Sequence, residues 1–173
     1  MRIWTIGHST HPINDFIAML RAHEIELLGD VRHFPGSRRF PHFNRDALCE
    51  SLAAQHIDYA HFPELGGRRS PRPDSRNTAW HHPAFRGYAD YMETEPFHDG
   101  IARLLDCAKK QRTAIMCAEA VWWRCHRSLI SDYLKARGIE VRHIFNTTKT
   151  EEHPYTSAVR IIDGELSYAG LLQ

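Results

Sequence analysis

The chain has 173 residues, 42% hydrophobic and 25% charged, with a formal net charge of +1 and a mean hydropathy of −0.49. A chain of this size buries a sizeable core without disulfides or metal staples, so a single domain over 1–173 is expected. No apolar run nears the ~18 residues of a membrane span, and the small net charge argues against a surface that grips nucleic acid all round.

The start, Met1-Arg2-Ile3-Trp4-Thr5-Ile6-Gly7, is too soon broken by Gly7-His8-Ser9 to read as a signal peptide. A cytoplasmic location is expected, with Cys49, Cys107, Cys117 and Cys125 reduced. Arg2 to Ile6 reads as a strand, and Pro12 opens a helix whose Ile13, Phe16, Ile17 and Leu20 share one face. Glu26 to Val31 is a second strand, followed by a polar loop in which Pro35-Gly36 demands a turn. Arg32, Arg38, Arg39 and Arg45 make this stretch basic. Asn44 is positioned to cap a helix with Leu48, Leu52 and Ala53 inward, and Ile57 to Phe62 gives a third strand.

Pro63 to Pro83 breaks the rhythm. Its Gly66, Gly67, Pro71 and Pro73 rule out a long regular element, and Arg68, Arg69, Arg72 and Arg76 make a second basic cluster. A charge run is usually a solvated surface, but a Gly66-Gly67 hinge also suits a lid. Helices follow at Ala84 to Glu93 and Pro96 to Lys110, then a buried strand at Thr113 to Cys117. A further helix carries Leu129, Ile130, Tyr133 and Leu134 inward, Gly138 stops it, and Glu140 to Phe145 is a fifth strand. Ala158 to Ile162 and Glu165 to Tyr168 form a hairpin about Asp163-Gly164.

Strand–helix alternation predicts an α/β three-layer sandwich with a mostly parallel central sheet and a small C-terminal hairpin. Ligands of such sheets bind beyond the carboxyl ends of the strands. That edge collects His8 and Ser9, Asp30 and Arg32, Gly66 and Gly67, and Cys117 with Glu119. Cys125-His126-Arg127 sits at a helix start, where free N–H groups and the positive dipole end favour anions and thiolates.

Thr5-Ile6-Gly7-His8-Ser9-Thr10, Gly29-Asp30-Val31-Arg32 with Pro35 and Ser37, Leu65-Gly66-Gly67, and Cys117-Ala118-Glu119 followed by Cys125-His126-Arg127 resemble the bacterial family known as domain of unknown function 488 (DUF488). The resemblance runs nearly the whole chain and implies motif positions without a settled activity. The Val121-Trp122-Trp123 loop is more apolar than that pattern.

The candidate catalytic groups are Glu119, Cys117, Asp30 and His126; the candidate substrate-binding groups are His8, Ser9, Arg32, Ser37, Gly67, Cys125 and Arg127. These groups are expected to meet at the carboxyl edge, with Glu119 held by an arginine. Each also has a plainer role: Cys117 as a core hydrophobe, Glu119 in an ion pair, His126 bonded to a carbonyl, Asp30 as a loop cap. Trp122 and Trp123 read first as core or interface and second as a stacking platform.

Three readings compete. The edge is an anion pocket of a hydrolase or transferase for a phosphate, a nucleotide or a nucleic-acid end. Or Cys117 or Cys125 is a thiolate nucleophile, as in rhodanese and the cysteine phosphatases, although seven residues separate Cys117 from Arg124. Or Cys117, Cys125 and His126, with His8 or Glu119, bind zinc or iron, although the chain lacks a Cys-x-x-Cys pair. A non-enzymatic nucleic-acid-binding module is a further alternative. No metal ligand set and no cofactor are assigned; the expected partner is a small anionic ligand or nucleotide, with nucleic acid as the alternative and no membrane. Nothing in the sequence specifies an oligomeric state.

Overall fold

A computed structural model describes residues 1–170. Five parallel strands form most of one sheet: β1 (Arg2–Gly7), β2 (Leu27–Asp30), β3 (Asp58–His61), β4 (Thr113–Cys117) and β5 (Glu140–Ile144), in the order β3-β2-β4-β1-β5. A sixth strand, β6 (Thr150–Glu152), closes the β5 edge antiparallel, pairing Arg142 with Glu152 and Ile144 with Thr150. Sequence periodicity misses β6 because it is short and polar; its Glu151 and Glu152 suit an edge that must not recruit further strands. The C-terminal hairpin is β7 (Arg160–Ile162) and β8 (Glu165–Ser167), turned by Asp163 and Gly164, both at positive φ.

Helices α1 (Ile13–Ala22) and α2 (Arg45–Ala53) cover one face; α3 (Pro83–Tyr91), α4 (Glu95–Lys110) and α5 (Arg127–Ala136) cover the other. This is the expected α/β layering. Strand alternation then decides which side each polar group joins. Trp4, Ile6, Leu28, Ala114 and Met116 pack beneath α1 and α2, whereas Ile3, Ile115, Cys117 and Val141 pack beneath α3 to α5. Thr5 and His143 follow the period of Ile3 and Val141, so they face α5; Asp30 follows Leu28 and faces α2.

The expected Asn44 side-chain cap is not formed. Asn44 precedes α2, but its Oδ1 instead accepts from the Ser37 N–H at 2.6 Å, which fastens the Pro35-Gly36 turn.

The long loop after β3 is fastened for most of its length. Asp90 on α3 accepts from Arg72 N, Ser75 Oγ and Asn77 Nδ2 at 2.6 to 2.8 Å, and Ala79 N donates to the Tyr168 carbonyl. Gly87 is required by this packing, since a Cβ there would lie 2.1 Å from the Arg69 carbonyl oxygen. Only the start of the loop reaches the carboxyl edge: Gly66 packs on His33 and Gly67 on His126. No helix among the described residues is long and apolar enough to cross a membrane. Asp90→Ala strands these donors and should cost about 3 kcal/mol, read by denaturant unfolding, with new proteolytic cuts between residues 70 and 80.

Candidate functional site

The chain's switch point brings the candidate residues near one another. β1 leads through α1 to β2 on one side, β4 leads through α5 to β5 on the other, and these adjacent strands diverge at Gly7 and Cys117, which are register partners. One strand further, Asp30 pairs with Met116. The groups nonetheless fall into two halves on opposite faces of the sheet.

On the α5 face the centre is Arg127, at 1% exposure. Its Nε donates to Cys117 Sγ at 3.0 Å and Cys125 Sγ at 3.3 Å, its Nη1 to Thr5 Oγ1 at 3.1 Å, and its Nη2 to the Glu119 carbonyl at 2.8 Å. Gly7 leaves room for that carbonyl: a Cβ there would sit 1.7 Å from it. The two sulfurs are 2.7 Å apart and unbridged. Among the described residues no carboxylate pairs with Arg127. A buried guanidinium needs a counter-charge, and the sulfurs are the acidic groups in contact with it. Burial opposes ionisation of either thiol, but the hydrogen bond from Cys117 and the Arg127 charge outweigh it at Cys125 and hold that thiol down to about 5. Burial and the hydrogen bond with Cys125 push Cys117 well up. Ionisation of the pair is therefore favoured at Cys125 over Cys117.

From Arg127 a buried chain of hydrogen bonds crosses the sheet and continues into the C-terminal segment. Thr5 Oγ1 meets His143 Nδ1, His143 Nε2 meets His153 Nδ1 at 2.8 Å, and His153 Nε2 meets Asp132 Oδ1 at 2.7 Å. Asp132 also accepts from Thr156 and from the Tyr168 hydroxyl. Arginine only donates and a carboxylate only accepts, so Arg127 enters the chain as a donor and Asp132 ends it as an acceptor. Trp122 stacks on His143 at 4.7 Å, whereas Trp123 is exposed. Sequence reasoning missed this chain. Its signal is the register that pairs Thr5 with His143, which no local pattern reveals.

On the α2 face Asp30 is fully buried and saturated. Its Oδ1 accepts from Arg32 N and Nε, and its Oδ2 from Arg32 Nη2 and the Tyr59 hydroxyl. Asp30 thus orients Arg32 and has little capacity left as a base. Arg32 is 5% exposed, and its Nη1 is buried with no partner. His8 stacks on Phe43 at 4.3 Å, and its Nδ1 donates to the Ser9 carbonyl at 3.0 Å. Its Nε2 is then a bare lone pair, also buried and unpartnered. His33 Nδ1, in the same loop as Arg32, is a third orphan.

The remaining predicted residues divide. Ser9 bonds through its backbone to the Ala118 carbonyl at 3.0 Å. His126 Nε2 donates to the Val31 carbonyl at 2.7 Å, leaving Nδ1 bare toward Gly67. Ser37 lies in the Pro35-Gly36 turn, and its Oγ accepts from Phe40 N. Glu119 corrects the expectation of an arginine-held carboxylate: its main-chain oxygen meets Arg127, while the residue is exposed and its carboxylate joins no ion pair among the described residues. No group of three or more His, Cys, Asp or Glu among the described residues is placed to hold a metal ion. A cavity of about 700 Å³ lies elsewhere, lined by Arg76, Glu93, Tyr133, Arg137 and Leu166 among others and by none of the groups at the carboxyl edge.

Two buried histidines make stability pH-dependent. Burial, aided by Arg32, lowers His8 to about 4 despite its hydrogen bond to Ser9, and burial with His153 and Arg127 lowers His143 as well. The folded values lie below the unfolded value of about 6.5, so their contribution is full above that pH and is lost as the pH falls through the folded value. Chemical denaturation should show His8 alone removing on the order of 2–3 kcal/mol between pH 7 and 4, with a shallower slope in His8→Asn.

The model of the family described as "Domain of unknown function DUF488" matches residues 12–134. No curated protein and no solved structure matches the chain.

Proposed function

We propose that this chain, which belongs to the DUF488 family, binds an anionic substrate, a phosphate ester or nucleotide, between Arg32 and His8 and acts on it as a hydrolase or transferase. The supporting observation is the pair of orphaned buried atoms, Arg32 Nη1 and His8 Nε2. Buried polar atoms are nearly always paired, so an open donor and an open lone pair near the same edge match a ligand with an anionic oxygen and a proton to give. Arg32 supplies the anion contact. Asp30 and Tyr59 fix its fork, and His8 takes the proton from water or an acceptor hydroxyl. Burial makes His8 a weak base, but an arriving anion raises its pKa and brings it toward working pH.

A second reading has its own support. The contact of Arg127 with both sulfurs favours a Cys125 thiolate nucleophile on the opposite face. Titration calorimetry of the reduced protein with inorganic phosphate and with a nucleoside monophosphate separates the two. The neutral double variant Asp30→Asn/Arg32→Gln avoids stranding a buried charge and should bind roughly 10- to 100-fold more weakly, the worth of one charged hydrogen bond. Unchanged affinity in that variant, or loss of binding in Cys125→Ser instead, would overturn the anion reading.

A further inference from the structure

We propose that Cys117 and Cys125 form a reversible dithiol–disulfide couple whose oxidant is hydrogen peroxide. The inference is independent of the anion reading, since it uses none of His8, Asp30 or Arg32. Its basis is geometric. The sulfurs already stand 2.7 Å apart without a bond, and a disulfide needs them at about 2.05 Å. Closing that gap brings the sulfurs together by a further ~0.65 Å.

The second observation is the contact of the Arg127 guanidinium with both sulfurs, which favours a thiolate, the form that reacts with peroxide. Cys125 is the attacking sulfur: it is 9% exposed against 2% for Cys117, and its pKa is the lower of the two. Such low exposure admits a small neutral oxidant and shuts out glutathione disulfide or a protein disulfide.

The Cys125 thiolate attacks one peroxide oxygen, the O–O bond breaks, and hydroxide leaves toward the Arg127 guanidinium. Cys125 is then a sulfenic acid. The Cys117 sulfur attacks it, the S–S bond forms, the S–O bond breaks, and the hydroxyl departs as water with the Cys117 proton. One thiolate, one thiol and one peroxide become one disulfide, one water and one hydroxide, and the two sulfurs have given up two electrons. The new bond closes the ring from 117 to 125, which contains the loop with Glu119, Trp122 and Trp123. A small thiol reductant such as dithiothreitol, rather than glutathione or a protein thiol, reverses the change by exchange.

The test uses the intact reduced protein, hydrogen peroxide at neutral pH, alkylation to stop the reaction, and peptide mapping. Cys117 and Cys125 should disappear together as one intramolecular disulfide, about tenfold or more faster than Cys49 and Cys107 are modified, because among the described residues no arginine hydrogen bond reaches either of those sulfurs. In Cys117→Ser the sulfenic acid at Cys125 should accumulate and be captured by dimedone; in Cys125→Ser the fast reaction should vanish. The proposal is overturned if Cys117 and Cys125 remain free thiols after peroxide treatment, if all four cysteines react at one rate, or if Cys125→Ser still reacts at the wild-type rate. The wild-type map alone decides the matter should either variant fail to fold.

Discussion

The buried guanidinium of Arg127 is the interaction on which the carboxyl edge depends. One side chain ties β1 through Thr5, β4 through Cys117, the following loop through the Glu119 carbonyl, and the entry to α5 through Cys125. Burying a charge of this kind costs several kcal/mol per ion, and only well-placed partners offset it. The partners here are unusual because no carboxylate is among them. Charge balance near Arg127 therefore falls on the sulfur pair, and a hydrogen-bond chain runs on to Asp132. That chain also explains why the C-terminal segment packs where it does: Thr156 and Tyr168 complete the shell of Asp132, and Tyr168 brings the region of the hairpin against α5.

β4 separates two chemistries that the sequence places in one list. Cys117 points to the α5 side, while Asp30, one strand away, points to the α2 side, because their positions follow opposite phases of the strand period. The α5 half is closed and centred on a buried charge. The α2 half holds the orphaned Arg32 Nη1 and His8 Nε2, and open capacity is what a ligand can use. His126 joins the halves: it starts the α5 turn beside Cys125 yet bonds to the Val31 carbonyl between Asp30 and Arg32.

How far this was legible in the sequence depends on how local each cause is. β1 and β4 were readable because they are short apolar runs stopped by Gly7 and by a polar loop, and parallel neighbours require the helical crossovers that the periodicity shows. β6 was not, since an edge strand of Thr150, Glu151 and Glu152 carries no burial pattern. Cys117, Cys125 and Arg127 could be nominated from strand end and helix start. Their grouping with Asp30 and Arg32 depended on face as well as edge, and face follows from the phase of each strand. Glu119 misled because its side chain suggested chemistry whereas its main-chain oxygen makes the contact. Thr5, His143, His153 and Asp132 lie up to 148 positions apart in sequence, counting from 5 to 153, and meet only through strand register and the packing of α5.

The claim that a thiolate balances buried Arg127 is tested most directly by ultraviolet titration of thiolate absorbance in the native, reduced protein. The account predicts that one thiolate per chain persists on acidification until about pH 5, well below the usual thiol range near 8.5, and that Arg127→Gln abolishes this low step. If all four thiols titrate together in the usual range while the protein stays folded, Arg127 has no sulfur counter-charge and the account is contradicted.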